Sequence, residues 1–328
     1  MAKNKSAAKP AGHPSASAEK PRKGWKEHLL SSGVPLEYSV ARIFEELGIF
    51  QPEEFRYVRK NADGLAQVFS VDVHATDIDP TRNLWVESLV ECKYRHDGTK
   101  WVFTPREYMA FFGPDFQDLF VTLDQCCLDR KLDREYLSKV GGFYPLCGKC
   151  IEILPDDANP KTIEQAVQQL RYAVVAKAID YLKHQVDELL GKPTPIIVIV
   201  PIIVTTAELW RLNVGTTVED IRAAKEIGDV ATPHEMLVLL QPPDNLDAKN
   251  SQDAFQEMLS NPQKSRLSDL LLQTSMRDFE FFIDHFSTYR PSLFIIISYK
   301  RVRDAMKNLH RFFANNSLIQ SRTRNNGD

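Results

Sequence analysis

An α/β fold is what the sequence predicts, and three observations predict it. Strand-like runs alternate along the chain with stretches of helical periodicity, the pattern of a sheet packed by helices. The most apolar segment, PIIVIVPIIV at 195–204, contains Pro201 and is too short to span a bilayer, so it reads as a buried strand. The clearest helical stretch, 160–191, stops at Gly191 with Pro193 just beyond. With 43% apolar and 26% charged residues in 328, the composition is that of a soluble globular chain.

The elements follow in order. Residues 1–24 are rich in Ala, Pro, Ser and Lys without apolar periodicity, and are expected to be a disordered basic tail. PLEYSVARIFEELGIF (35–50) places Val40, Ile43, Phe44 and Leu47 at helical spacing, with Gly48 as a stop and Glu37 in the first turn. AQVFSVDVHATDI (66–78) alternates: Phe69, Val71, Val73 and Ala75 fall on one face, and Ser70, Asp72, His74 and Thr76 on the other. Turn residues DIDPTRN lead into a second strand, 84–94, on which Val86, Ser88, Val90 and Cys92 oppose Glu87, Leu89, Glu91 and Lys93. The two strands make a hairpin. Further strands are expected at 118–126, 149–154, 194–213, 235–243 and 292–299, the last running into a basic helix. Residues 242–253 read as a loop before a helix at 253–260, and no internal repeat interrupts a single domain over 25–314. Residues 315–328 read as a flexible tail.

The net charge of −3 conceals an asymmetry. Residues 1–26 carry seven Lys/Arg against one acid and residues 299–328 seven against two, so the body between them is acidic. Basic ends suit contact with polyanions or serve solubility. The N-terminal stretch has no apolar core of a secretory signal and no run spans a membrane, so a cytoplasmic protein without membrane contact is expected.

The chemistry-bearing residues lie at the hairpin. Glu91 and Lys93 share a strand face about 7 Å apart, Asp72 sits mid-strand where Asp is disfavoured, and a helix carrying Glu37 precedes both. Taken alone, a Glu-x-Lys pair at a strand end is a solvated ion pair worth about 0–1 kcal/mol. Glu37 alone is an acid at a helix N-terminus, and His74 alone a hydrogen-bonded sheet histidine.

Together, LEYSVARIFEELG, FSVDVHA and LVECKYR resemble the PD-(D/E)XK nuclease superfamily, closest in motif style to its Mrr-type restriction and DNA-repair branches. The match covers about residues 33–95, and the usual Pro is missing at position 71. The resemblance implies a restriction-endonuclease-like mixed central sheet flanked by helices, elaborated after residue 100. It implies an Mg²⁺- or Mn²⁺-dependent endonuclease in which Asp72 and Glu91 hold the metal, Lys93 is the catalytic lysine and Glu37 an auxiliary carboxylate. It implies nucleic acid as the partner, DNA ahead of RNA, and allows a homodimer. Phosphodiester hydrolysis requires these residue types, because carboxylates suit Mg²⁺ and a lysine offsets phosphate charge. On the helix that follows, Gln168 and Tyr172 at i, i+4 carry a weaker likeness to the same superfamily. A nuclease-like module without catalysis is the alternative.

Of five cysteines, Cys126, Cys127, Cys147 and Cys150 suggest a zinc site in an interaction protein. Adjacent Cys126 and Cys127 point to opposite faces in a strand, which disfavours structural zinc. No glycine-rich phosphate loop or dinucleotide fingerprint is present.

Overall fold

The computed structural model describes residues 24–60, 64–106, 119–138, 144–154, 161–187, 194–274 and 277–321. The expected N-terminal tail at 1–23 and residues 322–328 therefore lie outside the described residues. The elements are α1 (Trp25–Ser31), α2 (Val34–Glu46), β1 (Phe50–Lys60), β2 (Ala66–Asp79), β3 (Leu84–Lys93), β4 (Lys100–Pro105), β5 (Val121–Thr122), β6 (Arg130–Leu132), α3 (Arg134–Ser138), β7 (Leu146–Ile153) and α4 (Lys161–Asp187). They continue with β8 (Ile196–Thr205), β9 (Glu208–Leu212), α5 (Val218–Ala223), β10 (Ala231–His234), β11 (Met236–Leu240), α6 (Asn245–Met258), α7 (Asn261–Gln273), α8 (Phe279–Tyr289), β12 (Leu293–Ser298), α9 (Val302–Phe313) and β13 (Ile319–Ser321).

A mixed sheet of order β1-β2-β3-β8-β12-β11-β7-β4-β9-β10 divides the molecule, with β5 added beside β8. β3 and β8 run parallel from Leu84↔Ile196 to Lys93↔Thr205, and the long connection between them ends in α4. Every residue of β8 is buried, as its unbroken apolar run requires. Pro201 pairs in register with Leu89 of β3, and it is tolerated because its missing N–H would face the other flank, as the Ile197 carbonyl does. It falls between the β5 pairing at Val198–Ile199 and the β12 pairing that starts at Ile202.

Two cores lie against the two faces of the sheet. One holds the buried side of α4 with Phe255, Leu267, Leu271, Phe282 and Phe286 of α6–α8, together with Trp101 and Phe103 of β4. The other holds Val40 and Phe44 of α2 and Met306, Leu309 and Phe313 of α9. Each fully buried aliphatic or aromatic side chain stabilises by about 1.5–3 kcal/mol.

Three sequence expectations change, besides the strand expected at 118–126, which is only β5 at Val121–Thr122 followed by a 3-10 turn at Asp124–Cys126. Phe69, Val71, Val73 and Ala75 do not share a face: Phe69 and Val71 pack with α4, whereas Val73 and Ala75 pack with α2. The cause is a β-bulge. Between Glu53↔His74 and Phe55↔Val71, β2 advances one residue more than β1, so Asp72 and Val73 together oppose Glu54. Second, the expected loop at 242–253 is mostly helix. Asp244 accepts from the Asp247 N–H at 2.8 Å in a reciprocal capping box, which starts α6 at Asn245. Third, residues 315–321 continue in regular structure, with β13 pairing antiparallel to β6.

Candidate active site

The site forms where β2, β3 and α4 meet, and each side chain reaches it for a local reason. Alternation along β3 sends Leu89, Glu91 and Lys93 toward α4, because Val86, Val90 and Cys92 fill the opposite core. The strand end is fixed by β8, whose Thr205 hydroxyl donates to the Lys93 carbonyl at 2.9 Å. Lys93 Nζ donates to Glu91 Oε1 at 2.5 Å and to Gln169 Oε1 of α4 at 3.3 Å. Glu91 is 1% exposed, and its second oxygen, Oε2, is buried with no hydrogen-bond partner.

Asp72 occupies the bulge. The ladder from β2 to β3 runs only as far as Val73↔Val90, and the next β3 amide, that of Cys92, donates to Asp72 Oδ2 at 2.6 Å. The carboxylate thus stands in for a main-chain acceptor, and the bulge aims it at the end of β3. Glu37 comes from the first turn of α2, which starts at Gly33 in the left-handed region at φ 83°. A Cβ at Gly33 would meet Glu37 Oε1 at 2.9 Å, so the glycine leaves room for the carboxylate as well as supplying the backbone conformation.

The four residues named from sequence act on one another. Burial first, then repulsion from Asp72 and Glu37, pushes Glu91 up to about 8 against the attraction of Lys93. Burial raises Asp72, opposed by the Cys92 amide and Lys93. Burial and the Asp72 charge raise Glu37, again opposed by Lys93. Three acids sharing one lysine leave the cluster short of positive charge. The donor set is oxygen, with an unpartnered buried carboxylate oxygen, and Mg²⁺ binds through one or two carboxylates while keeping several waters. Asp72 and Glu91 fit that requirement chemically. Among the described residues, no group of three or more His, Cys, Asp or Glu side chains is gathered closely enough to hold a metal ion by itself.

A neighbouring carboxylate on the same face behaves in the opposite way. Glu87 is equally buried, yet His74 Nε2 lies 2.5 Å away, Thr76 donates at 2.9 Å and Lys177 Nζ stands at 3.4 Å. Burial would raise Glu87, but these partners hold it below the ordinary carboxylate range. His74 is thus a hydrogen-bonded sheet histidine, as its position suggested, and Glu87 is a satisfied structural acid.

Gln168 and Tyr172 do not join the site. They reach Asp247 of α6 at 3.3 and 3.4 Å, beside Arg171 at 2.5 Å. The residue of α4 that meets Lys93 is Gln169, one position on. Three glutamines at 165, 168 and 169 make the turn legible in sequence but not which of them faces the sheet. Glu54, opposite the bulge, also adds its charge to Asp72 and Glu37. The cysteines are parcelled out: Cys126, Cys147 and Cys150 pack with the α4 core, and Cys127 with the other, its thiol directed at the Pro195 carbonyl. Among the described residues no helix is long and apolar enough to cross a membrane. No family model, curated protein or solved structure matches this chain.

Proposed function

We propose that this chain is a divalent-metal-dependent nuclease of restriction-endonuclease-like architecture, hydrolysing phosphodiester bonds of nucleic acid, with DNA the favoured substrate. One observation carries the reading. Four residues singled out by sequence order, on a helix and two strands, form one mutually coupled cluster whose buried carboxylate keeps an unpartnered oxygen. A buried acid such as Glu91, pushed far from its ordinary value beside a specific charge partner, is a mark of functional sites. The helix–hairpin order of α2, β1, β2 and β3, closed by α4 and the parallel strand β8, supports the architecture.

Asp72 and Glu91 would hold Mg²⁺ or Mn²⁺, which supplies Lewis acidity toward the phosphate and a bound water of lowered pKa. Lys93 donates to both Glu91 and Gln169, which fixes its Nζ beside the open carboxylate oxygen. From there it offsets charge accumulating on the scissile phosphate and orients the attacking water. Glu37 adds negative charge that strengthens the site's hold on a cation.

The test is cleavage of linear, circular, branched and single-stranded nucleic acids in Mg²⁺ and in Mn²⁺, with wild type beside Lys93→Ala and Asp72→Ala. Cleavage lost in both variants, with unchanged circular dichroism, is the expected result. Equal cleavage by all three proteins would overturn the assignment of these residues.

A further inference from the structure

A cavity of about 390 Å³ lies between the β1–β2 strands, α4 and α6. Val175, Ala176 and Ile179 of α4 and Met258 of α6 give it apolar walls, and a Lys60–Glu257 ion pair at 2.6 Å ties β1 to α6 beside it. Besides that pair, its polar lining comes from Tyr57, Arg59 and Tyr172 together with Asn250 and Asp253. Arg59 is the unusual one: its guanidinium carbon lies over two rings, 4.1 Å from the Phe69 centroid and 4.0 Å from that of Tyr172. Its Nε is buried with no hydrogen-bond partner. A guanidinium stiffened by stacking and lacking an acceptor is prepared for an anion, and a buried unpartnered N–H calls for a partner.

The α6 wall adds Asn250 and Asp253, spaced i, i+3 and therefore on one helix face. Asn250 Nδ2 donates to the Tyr172 hydroxyl at 3.0 Å, leaving its amide oxygen as an acceptor. Two acceptors on one wall suit a ligand edge bearing N–H groups, while the apolar walls suit a flat ring. We infer that this cavity binds a small organic anion of the nucleoside-monophosphate class, its phosphate on Arg59 and its base between α4 and α6. The volume lies within the range of small-molecule sites. The inference is independent of the nuclease reading, since none of its residues belongs to the Asp72–Glu91 cluster.

Calorimetric titration of the full chain in EDTA tests it, with adenosine monophosphate as probe and inorganic phosphate and 2-naphthoate as comparators. Saturable adenosine monophosphate binding is expected, at least tenfold tighter than either comparator. Arg59→Gln and, separately, Ala254→Leu, which fills the cavity without removing the guanidinium, each weaken it at least tenfold. If Arg59→Gln fails to fold, Ala254→Leu decides alone. Absence of binding at millimolar nucleotide, binding unchanged in the folded variants, or a comparator binding as tightly as the nucleotide would each overturn the inference.

Discussion

Lys93 Nζ sits 2.5 Å from Oε1 of Glu91, while Oε2 of the same carboxyl is buried without a partner. Four residues earlier on the same strand face, Glu87 is fully furnished by His74, Thr76 and Lys177. The same strand can therefore satisfy a buried acid, and at Glu91 it does not. A half-satisfied buried carboxylate costs stability, and local rules are broken in this way chiefly at functional sites.

Glu91→Gln should separate stability from activity. In the folded chain Glu91 keeps its proton up to about pH 8, against an ordinary value of 4.5. The folded state thus binds more protons over that window, and stability falls as pH rises through it. Melting in EDTA should be similar for variant and wild type near the lower limit and higher for the variant above the upper one. Cleavage in Mg²⁺ should drop by about 10²-fold or more. Parallel pH–melting curves for the two proteins would contradict the buried, proton-holding acid.

Gln169 and Gln168 are adjacent on α4 and should behave differently. Gln169→Ala removes the contact that places Lys93, so kcat should fall by about tenfold with KM little changed. Gln168→Ala removes a contact to Asp247 and should leave cleavage within about twofold while costing about 1 kcal/mol in urea denaturation. Steady-state kinetics on both variants gives the comparison.

The site was more legible than the sheet that carries it. Alternation on β3 put Glu91 and Lys93 on the correct face, because that strand pairs regularly along its length with β8. It failed on β2, where the bulge at Asp72–Val73 reverses the parity and no residue type announces it. Gln169 was missed by one position because helical periodicity fixes a turn more firmly than a face when three glutamines crowd it. The start of α6 is marked in sequence only by the spacing of three between Asp244 and Asp247, which is that of a capping box inside a stretch that reads as loop. The distant pairings, such as β4 with β9 and β13 with β6, leave no local mark in sequence.

Arg171 and Asp247 form a buried ion pair, 1% and 6% exposed in their side chains, with Arg171 also donating to the Gln241 carbonyl at 2.6 Å. Arg171→Leu leaves the Asp247 charge uncompensated between α4 and α6 and should cost about 3–5 kcal/mol. Adding Asp247→Asn, which keeps a side-chain acceptor for the α6 cap, should recover part of that loss. Chemical denaturation of the single and double variants measures both steps, and an additive double variant would show that the pair is not coupled.

Asp79 closes the turn between β2 and β3 and so holds the two strands that carry Asp72 and Glu91. Its carboxylate accepts from the Thr81 hydroxyl at 2.6 Å, the Arg82 amide at 3.0 Å and Arg82 Nε at 2.7 Å. Partial burial works against the charged form, but these donors prevail and hold the group at about 2, below its ordinary 3.8. A carboxylate depressed in this way stabilises the fold above the ordinary value and loses that contribution as pH falls through the depressed one. Asp79→Asn should therefore lower stability at neutral pH by about 1 kcal/mol, the net worth of the lost charged hydrogen bonds at a largely solvated turn. Between about pH 4 and pH 2 the gap between variant and wild type should close. Urea denaturation at neutral pH and at the acid limit measures it, and a gap of constant size would show that the contribution of Asp79 does not depend on its charge.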